Sequence, residues 1–250
     1  MKNAMKKNVI ILTSGLSGSS VLTGLIARAG YWTGEQTFKK RDYETFENTQ
    51  LINLNLKLFE QAKYTGNYLL EFSTAALKDV EALQTRVDGA EYRSFMEHCN
   101  EHQPWIWKDP RLWLTIRFWR TFLDLNNCRF ILLTRSPLQS WVSSTLRRQI
   151  TTYRYSRDYE ERIKQSIVEF FEENKLPFLH LQYESLIEDP VTAINQLNRH
   201  LDAALTVDDL GKVYHRPLHK NPRNSWSKHV KAVLIYMKNY SERRDIAVKQ

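Results

Sequence analysis

The sequence predicts an α/β domain, in which a mainly parallel central sheet is flanked by helices. Short apolar runs alternate along the chain with helical patterns, and a turn signal separates each run from the helix after it. Because two neighbouring parallel strands need a helical crossover, this alternation favours a parallel sheet. The 250 residues, of which 42% are hydrophobic and 26% charged, suit one domain over 1–250.

Four apolar runs are the strand candidates: Val9–Leu12, Trp105–Trp107, Phe130–Thr134 and Pro177–Tyr183. The first is followed by apolar residues at helical spacing from Val21 to Ala29. After the second, Asp109-Pro110 is typical of a helix start, and the pattern predicts a helix as far as about Leu125. Ser136 as cap and Pro137 in the first turn begin another helix after the third run. An amphipathic helix before the fourth run includes Ile163–Phe171.

Three loops that follow strands have the residues of an anion site. Thr13–Ser20, Lys108–Arg111 and Arg135-Ser136 combine small hydroxyls, glycines and bases, and ligands of such sheets bind outside the carboxyl ends of the strands. Thr13–Ser20 joins a strand to a helix, where backbone N–H groups and the positive helix end attract an anion. A nucleoside triphosphatase needs Lys after the second glycine, and Gly18 is followed by Ser19, which disfavours Mg-ATP chemistry.

The net charge of +8 indicates an anionic partner. The excess lies in residues 211–250, where ten Lys and Arg accompany two acids. Nucleic acid, a membrane surface and a phosphorylated ligand all fit such a segment. Five apolar residues at helical spacing predict an amphipathic helix over 226–240 that packs on the domain: Trp226, Val230, Val233, Leu234 and Met237.

The lengths of the apolar runs and the small number of cysteines predict a cytoplasmic protein. No apolar run approaches the ~20 residues of a bilayer span, so we expect no transmembrane segment. The basic start leads only into Val9–Leu12, too short for a secretory signal. Cys99 and Cys128 cannot form a disulfide framework and are expected to be reduced thiols.

Several segments resemble the sulfotransferases that use 3′-phosphoadenosine 5′-phosphosulfate (PAPS). Ser14–Ser20 is similar to the 5′-phosphosulfate loop of that family, Arg135–Pro137 with Ser143 to its 3′-phosphate motif, and Tyr183–Pro190 to its "YEDLxxDP" stretch. Trp107–Arg111 and Phe46–Asn48 resemble a bacterial-type branch. The resemblance implies a three-layer, P-loop-like fold and transfer of a sulfuryl group from PAPS to a hydroxyl or amine acceptor. The product would be adenosine 3′,5′-bisphosphate (PAP), and no metal is required.

The resemblance also implies roles for particular residues. The 5′-phosphosulfate would lie on the loop Ser14, Gly15, Leu16, Ser17, Gly18, Ser19 and Ser20, and the 3′-phosphate on Arg135 and Ser143. The planar donor fork of Arg135 independently suits a dianionic phosphate. Lys220 and Arg223 are weaker candidates for a basic loop over the 3′-phosphate and adenine.

One departure from the family pattern bears on catalysis. Family members commonly carry Lys or Arg where this chain has Leu16, and leucine cannot stabilise the charge that develops during transfer. Another cation should then substitute. Lys108 is the candidate because its strand should end beside the loop, and Arg111 is the fallback.

A general base must take the proton of the acceptor. The resemblance favours Glu47, with His98 and His102 as runners-up. The stretch His98–His102 also matches the H-x-x-E-H pattern of some zinc peptidases. Gln103-Pro104 ends the helix at once and a third ligand is missing, so no metal site is predicted. Acceptor-side residues should come from a helical segment over 34–103, and the acceptor could be a glycan, a lipid or a small molecule.

Three rival functions remain at this point. A nucleotide or sugar kinase with an altered phosphate loop would need Mg²⁺ and ATP. A nucleic-acid-binding module would use the basic carboxyl end, with an affinity that falls steeply with salt; we regard nucleic acid as the less favoured partner. A degenerate member of the resembled family would bind PAP without transferring sulfate.

Overall fold

The computed structural model describes residues 6–40, 43–213 and 222–243, with side chains from 226 onward in the last range. Its central strands are β1 (Asn8–Leu12), β4 (Ile106–Lys108), β5 (Cys128–Thr134) and β6 (Phe178–Gln182). They form a parallel sheet in the order β4-β1-β5-β6. The predicted α/β class with a mainly parallel sheet is therefore confirmed.

The two faces of the sheet bury different halves of the core. Ile10 and Leu12 of β1 join one apolar cluster, and Val9 and Ile11 join the other, as the two-residue period of a strand requires. All five residues of β1 are buried. Helices cover both faces, which gives the three layers that the sequence predicts.

The helices are α1 (Ser19–Ala27), α2 (Thr49–Gln61), α3 (Thr74–Ala82), α4 (Ala90–Glu101), α5 (Leu112–Trp119), α6 (Pro137–Leu146), α7 (Tyr153–Glu173), α8 (Ser185–Glu188), α9 (Pro190–Leu201), α10 (Val207–Val213) and α11 (Pro222–Lys238). The helix predicted as far as Leu125 is shorter than expected, since α5 ends at Trp119. The carboxylate of Asp124 accepts the amide N–H of Asn126 and begins a separate 3₁₀ turn at Leu125. In the described part of the chain, no helix has the length and apolar character that crossing a bilayer requires. Cys99 and Cys128 are both buried free thiols.

The segment after residue 34 corrects an expectation. Helices and loops were predicted there, but β2 (Thr37–Lys40) and β3 (Tyr43–Asn48) form an antiparallel hairpin ahead of α2. The register shifts between Phe38 and Lys39, and Phe46 has a left-handed φ of 57°. These irregularities hide the alternation by which a strand is recognised. The Phe46 ring lies against α1 where residue 24 is glycine, since a Cβ there would come within 2.6 Å of it.

The basic end also differs from the prediction. The expected helix is present as α11, but the residues expected to pack on the domain are exposed, with Trp226 at 77% and Leu234 at 64%. Another face of α11 contacts the domain, and Ala232 on that face is fully buried beside Trp141. The ring of Tyr236 lies 5.7 Å from that of Trp141. Helical spacing predicts a helix but does not decide which of its faces meets the domain.

Candidate active site

The loop between β1 and α1 has the backbone of an anion cradle. Gly15 and Gly18 have φ values of 88° and 79°, and Leu16 between them has φ of 50°. Left-handed residues at a strand-to-helix turn allow backbone N–H groups to converge on one point. Glycine is also required at position 18 for space, because a Cβ there would lie 2.2 Å from the ring of Tyr183.

The hydroxyl groups of this loop serve different purposes. Ser17, predicted to contact the anion, is only 1% exposed and hydrogen-bonds the hydroxyl of Thr13 inside the loop. Ser19 is also buried, and its carbonyl accepts the hydroxyl of Thr23. Ser20 is half-buried and accepts a hydrogen bond from a lysine. The side chain of Ser17 thus braces the loop, while that of Ser20 faces the charged neighbours of the loop.

That lysine is Lys108, the last residue of β4. Its ammonium group donates to Glu47 Oε1 at 2.6 Å and to Ser20 Oγ at 3.3 Å. Lys108 is 1% exposed and the Glu47 side chain 13%. Burial lowers the pKa of Lys108, and the Glu47 carboxylate opposes that change. The structure therefore places the candidate cation and the candidate base in contact with each other and beside the loop between β1 and α1.

The fallback cation has a different environment. The guanidinium group of Arg111 donates to Asp109 Oδ1 at 2.8 Å and lies 4.8 Å above the ring of Tyr68. The carboxylate of Asp109 also accepts the Arg111 backbone N–H and the amide of Asn55. These contacts fix the turn that leads into α5. Arg111 is thus engaged by Asp109, whereas Lys108 reaches the loop.

Arg135, just after β5, joins the loop from the other side. Its Nη1 donates to the Leu16 carbonyl and to Ser143 Oγ, both at 3.0 Å, and its guanidinium lies 5.4 Å from the Tyr183 ring centre. Among the described residues, its buried Nε has no hydrogen-bond acceptor. Ser143 is the serine of α6 that meets Arg135, since the hydroxyl of Ser144 donates to the backbone of Trp141.

Glu184 is a site residue that the sequence analysis did not single out. Its two carboxylate oxygens accept the Ser136 backbone N–H at 3.1 and 3.2 Å, and Oε1 lies 3.8 Å from Arg135 Nε. Ser136 is the N-cap of α6, as predicted, but makes no side-chain cap hydrogen bond. Glu184 instead accepts the backbone N–H of the N-cap residue itself and so ties the start of α6 to the residue after Tyr183. The sequence held one signal for this role: Glu184 directly follows Tyr183, in the stretch that resembles a family motif.

A second acid lines a pocket beside the loop. Ser14, Gly15 and Leu16 form one wall of the pocket, and Glu160 of α7 lies across it with Ser140 of α6. Burial raises the pKa of Glu160 to about 7, although a hydrogen bond with Ser140 and the charge of Arg135 oppose the shift. Glu160 is one of several acids on an amphipathic helix, so nothing in its sequence context marked it.

The two histidines considered as bases lie elsewhere. The ring of His102 stacks on Trp32 with centroids 4.7 Å apart, and Trp32 pairs with Trp105, which immediately precedes β4. Lys108 is at the opposite end of that strand. Helix α4 therefore carries His98 and His102 to the amino end of the sheet, at the other end of β4 from Lys108, and does not bring them together with Glu47. Of the weaker candidates, Lys220 and the side chain of Arg223 lie outside the described residues.

A parallel sheet with a glycine-containing strand-to-helix loop after its first strand and an arginine after the adjacent strand defines an α/β protein whose ligand is expected at the carboxyl ends of the strands. The profile of the sulfotransferase family matches residues 10–208, and the chain belongs to that family. The family resemblance that the sequence carries is thereby confirmed, and membership indicates a transferase.

Two solved structures share the fold. The sulfotransferase domain of the olefin synthase of Synechococcus PCC 7002 aligns with a TM-score of 0.52 and 16% identity, over 99% of this chain and 92% of that one. The sulfotransferase domain from the curacin biosynthetic pathway aligns with a TM-score of 0.51 and 18% identity, over 86% and 80%. No curated protein sequence matches the chain significantly.

Proposed function

We propose that the protein transfers a sulfuryl group from PAPS to a hydroxyl or amine acceptor and releases PAP. The observation that carries this proposal is the contact between Arg135 and the Leu16 carbonyl. It joins an arginine at the end of β5 to the loop at the end of β1, so two anion-binding elements lie side by side. A nucleotide with anionic groups at both its 5′ and 3′ positions needs such a pair.

The residues of the two elements fit this donor. The cradle around Leu16 offers backbone N–H groups to the 5′-phosphosulfate. Arg135 offers its guanidinium group, and Ser143 adds a hydroxyl beside Nη1. A guanidinium group next to a hydroxyl suits the 3′-phosphate. In this proposal Ser17 and Thr13 hold the loop in shape and do not touch the donor.

Lys108 and Glu47 would supply the chemistry. During transfer a bond forms between sulfur and the acceptor oxygen or nitrogen, and the bond between sulfur and the bridging oxygen of the donor breaks. The Lys108 ammonium stabilises the negative charge that develops on the leaving phosphate, the task that Leu16 cannot perform. The Glu47 carboxylate takes the proton that the acceptor loses. No metal takes part in this scheme.

In this proposal Glu47, on the hairpin, lies on the acceptor side of the site. Glu47 lies on β3, and Asn48 immediately after it caps α2 by accepting the backbone N–H groups of Gln50 and Leu51. The acceptor would therefore enter between the hairpin and the loop. We propose a hydroxyl or amine of a glycan, a lipid or a small molecule as the acceptor class.

Calorimetric titration tests the donor. We expect saturable binding of PAP, weaker binding of adenosine 5′-monophosphate, which lacks the 3′-phosphate, and weaker binding of ATP with Mg²⁺. Arg135→Ala should weaken PAP binding more than monophosphate binding. Arg129→Ala is the matched control, because Arg129 belongs to the other end of β5. A protein that binds PAP no more tightly than the monophosphate would contradict the proposal.

Binding without transfer is the second candidate, and the leucine at position 16 favours it. The two candidates differ in turnover. With labelled PAPS and a panel of alcohol and amine acceptors, a transferase yields labelled product and PAP together. A binding protein shows the same PAP affinity and no labelled product with any acceptor of the panel.

A further inference from the structure

Three metal-ligating side chains meet at the amino end of the sheet. Glu35 precedes the hairpin, and His98 and His102 lie one helical turn apart at the end of α4. One ligand atom from each lies within 4.8 Å of the others. The Nε2 atoms of His98 and His102 lie 3.7 and 3.5 Å from the same oxygen, Oε1 of Glu35.

The second ring nitrogen of each histidine, Nδ1, lies near an oxygen of its own helix. His102 Nδ1 lies 3.0 Å from the His98 carbonyl oxygen. A carbonyl only accepts hydrogen bonds, so Nδ1 carries a proton, and in the neutral ring of this tautomer the lone pair is on Nε2, the atom that faces Glu35. His98 Nδ1 lies 3.5 Å from the carboxylate of Glu101. Metal-bound histidines characteristically use their second nitrogen in this way, with a backbone carbonyl or a carboxylate.

The surroundings hold the two rings in place. The ring of Trp32 stacks on His102 at an interplanar angle of 15° and meets His98 edge-on at 81°. Trp32 is itself fixed by backbone hydrogen bonds, to Pro104 O and from Ile106 N, each 2.9 Å. Both histidine side chains are 35% exposed and that of Glu35 is 66% exposed. An ion from solvent can therefore reach ligands that are already oriented.

We propose that Glu35, His98 and His102 bind a divalent transition-metal ion, for which Zn²⁺ is the best fit. Two imidazole nitrogens and one carboxylate oxygen, with solvent in the fourth position, are a common zinc ligand set. Glu35 supplies the third ligand that the H-x-x-E-H pattern lacks. Glu101 of that pattern orients His98 instead of binding the ion.

The bound ion would tie the end of α4 to the segment that enters β2. The site lies at the opposite end of β4 from Lys108, so the ion takes no part in the proposed sulfuryl transfer. This inference is independent of the donor and of the acceptor, and a failure of either leaves it standing.

The test uses the full-length protein without an affinity tag, stripped with chelator and titrated with ZnCl₂ by calorimetry. We expect one ion per chain. His102→Ala and Glu35→Gln should each weaken zinc binding by ~100-fold or more, because loss of an outer-shell partner alone costs about 10–100-fold. Glu101→Gln should cost about 10-fold on the same basis. Glu97→Gln, an exposed acid on the same helix, should have no effect.

Thermal melting gives a second readout. Zinc should raise the midpoint of the wild-type protein and leave that of Glu35→Gln unchanged, since an ion stabilises only a fold that binds it. Mg²⁺ should have no effect on either protein, because it prefers oxygen ligands. Absence of stoichiometric zinc binding would overturn the proposal, as would binding that Glu35→Gln and His102→Ala leave unchanged.

Discussion

Lys108 is the last residue of β4 and Arg135 follows β5, and these two strands flank β1, but the two cations have different surroundings. Lys108 is 1% exposed and donates to the Glu47 carboxylate at 2.6 Å. The Arg135 side chain is 20% exposed, donates to a backbone carbonyl and a hydroxyl, and lies 3.8 Å from the Glu184 carboxylate. Burial of a cation is costly unless an acid accompanies it. In the proposed function, the Lys108 side of this edge serves proton and charge chemistry, and the Arg135 side holds the 3′-phosphate.

The largest effect should come from Glu47→Gln. Loss of a general base typically slows the chemical step by about 10²–10⁴-fold, and we expect that loss in kcat with little change in PAP affinity. Steady-state turnover of labelled PAPS, with an acceptor that supports wild-type activity, measures it. Glu44→Gln on the same strand is the control, because Glu44 faces Lys39 on the hairpin. Equal activities of the two variants would remove Glu47 from the chemistry.

Lys108→Ala should have the next largest effect. Removal of one preorganised donor to developing charge costs about 10²–10³-fold in kcat, and the KM for PAPS should change little. Lys57→Ala provides a lysine control, since Lys57 forms an exposed ion pair with Glu91. If Lys108→Ala weakened PAP binding as much as it slowed turnover, Lys108 and Arg135 would both serve binding. The edge of the sheet would then have no separate catalytic side.

The substitution Arg135→Lys tests the proposed 3′-phosphate side of the sheet edge. A hydrogen bond to a charged group contributes about 1.5–3 kcal/mol, or ~10–150-fold in affinity. Lysine keeps the charge but lacks the planar fork. We therefore expect PAP affinity to fall within that range while kcat at saturating PAPS stays near wild type. Calorimetry and initial rates separate the two quantities, and a loss confined to kcat would place Arg135 among the catalytic groups.

The sequence predicts what depends on local pattern. Strand β1 is an unbroken apolar run before a glycine-rich turn, so its position and the loop after it could be read directly. A strand-end argument predicts that Lys108 lies near the loop, and a family resemblance suggests Glu47 as the base. Neither indicates that the two side chains touch.

The structural features that the sequence does not predict depend on contacts between distant segments. Phe46 adopts a left-handed conformation inside a strand, so the hairpin lacks its usual alternation. The apolar spacing around Trp226 predicts α11, while the face that meets Trp141 is set by the small Ala232. Glu35 follows no pattern with the His98–His102 stretch, and only folding brings them together.

The smallest effect on PAP binding is expected at Glu160, in the pocket beside the loop between β1 and α1, although its effect on stability is larger. Burial raises its pKa to about 7, the charge of Arg135 opposes the shift and that of Glu184 adds to it. The folded protein thus holds a proton between about pH 4.5 and 7 that the unfolded chain has lost, so stability falls as pH rises through this range, by up to about 3 kcal/mol. Thermal melts at several pH values should show the fall in the wild type and not in Glu160→Gln.

Ionisation of Glu160 should also weaken the binding of PAP. As Glu160 ionises, negative charge develops beside the proposed 3′-phosphate site, so PAP affinity should drop a few-fold between pH 6 and 8. The phosphates of PAP titrate near pH 6 themselves, so the readout is the difference between wild type and Glu160→Gln. Glu161→Gln is the control, because Glu161 is exposed and pairs with Lys164. Identical pH profiles for wild type and Glu160→Gln would mean that PAP does not sense this pocket, and the phosphate-binding side would then end at Arg135 and Ser143.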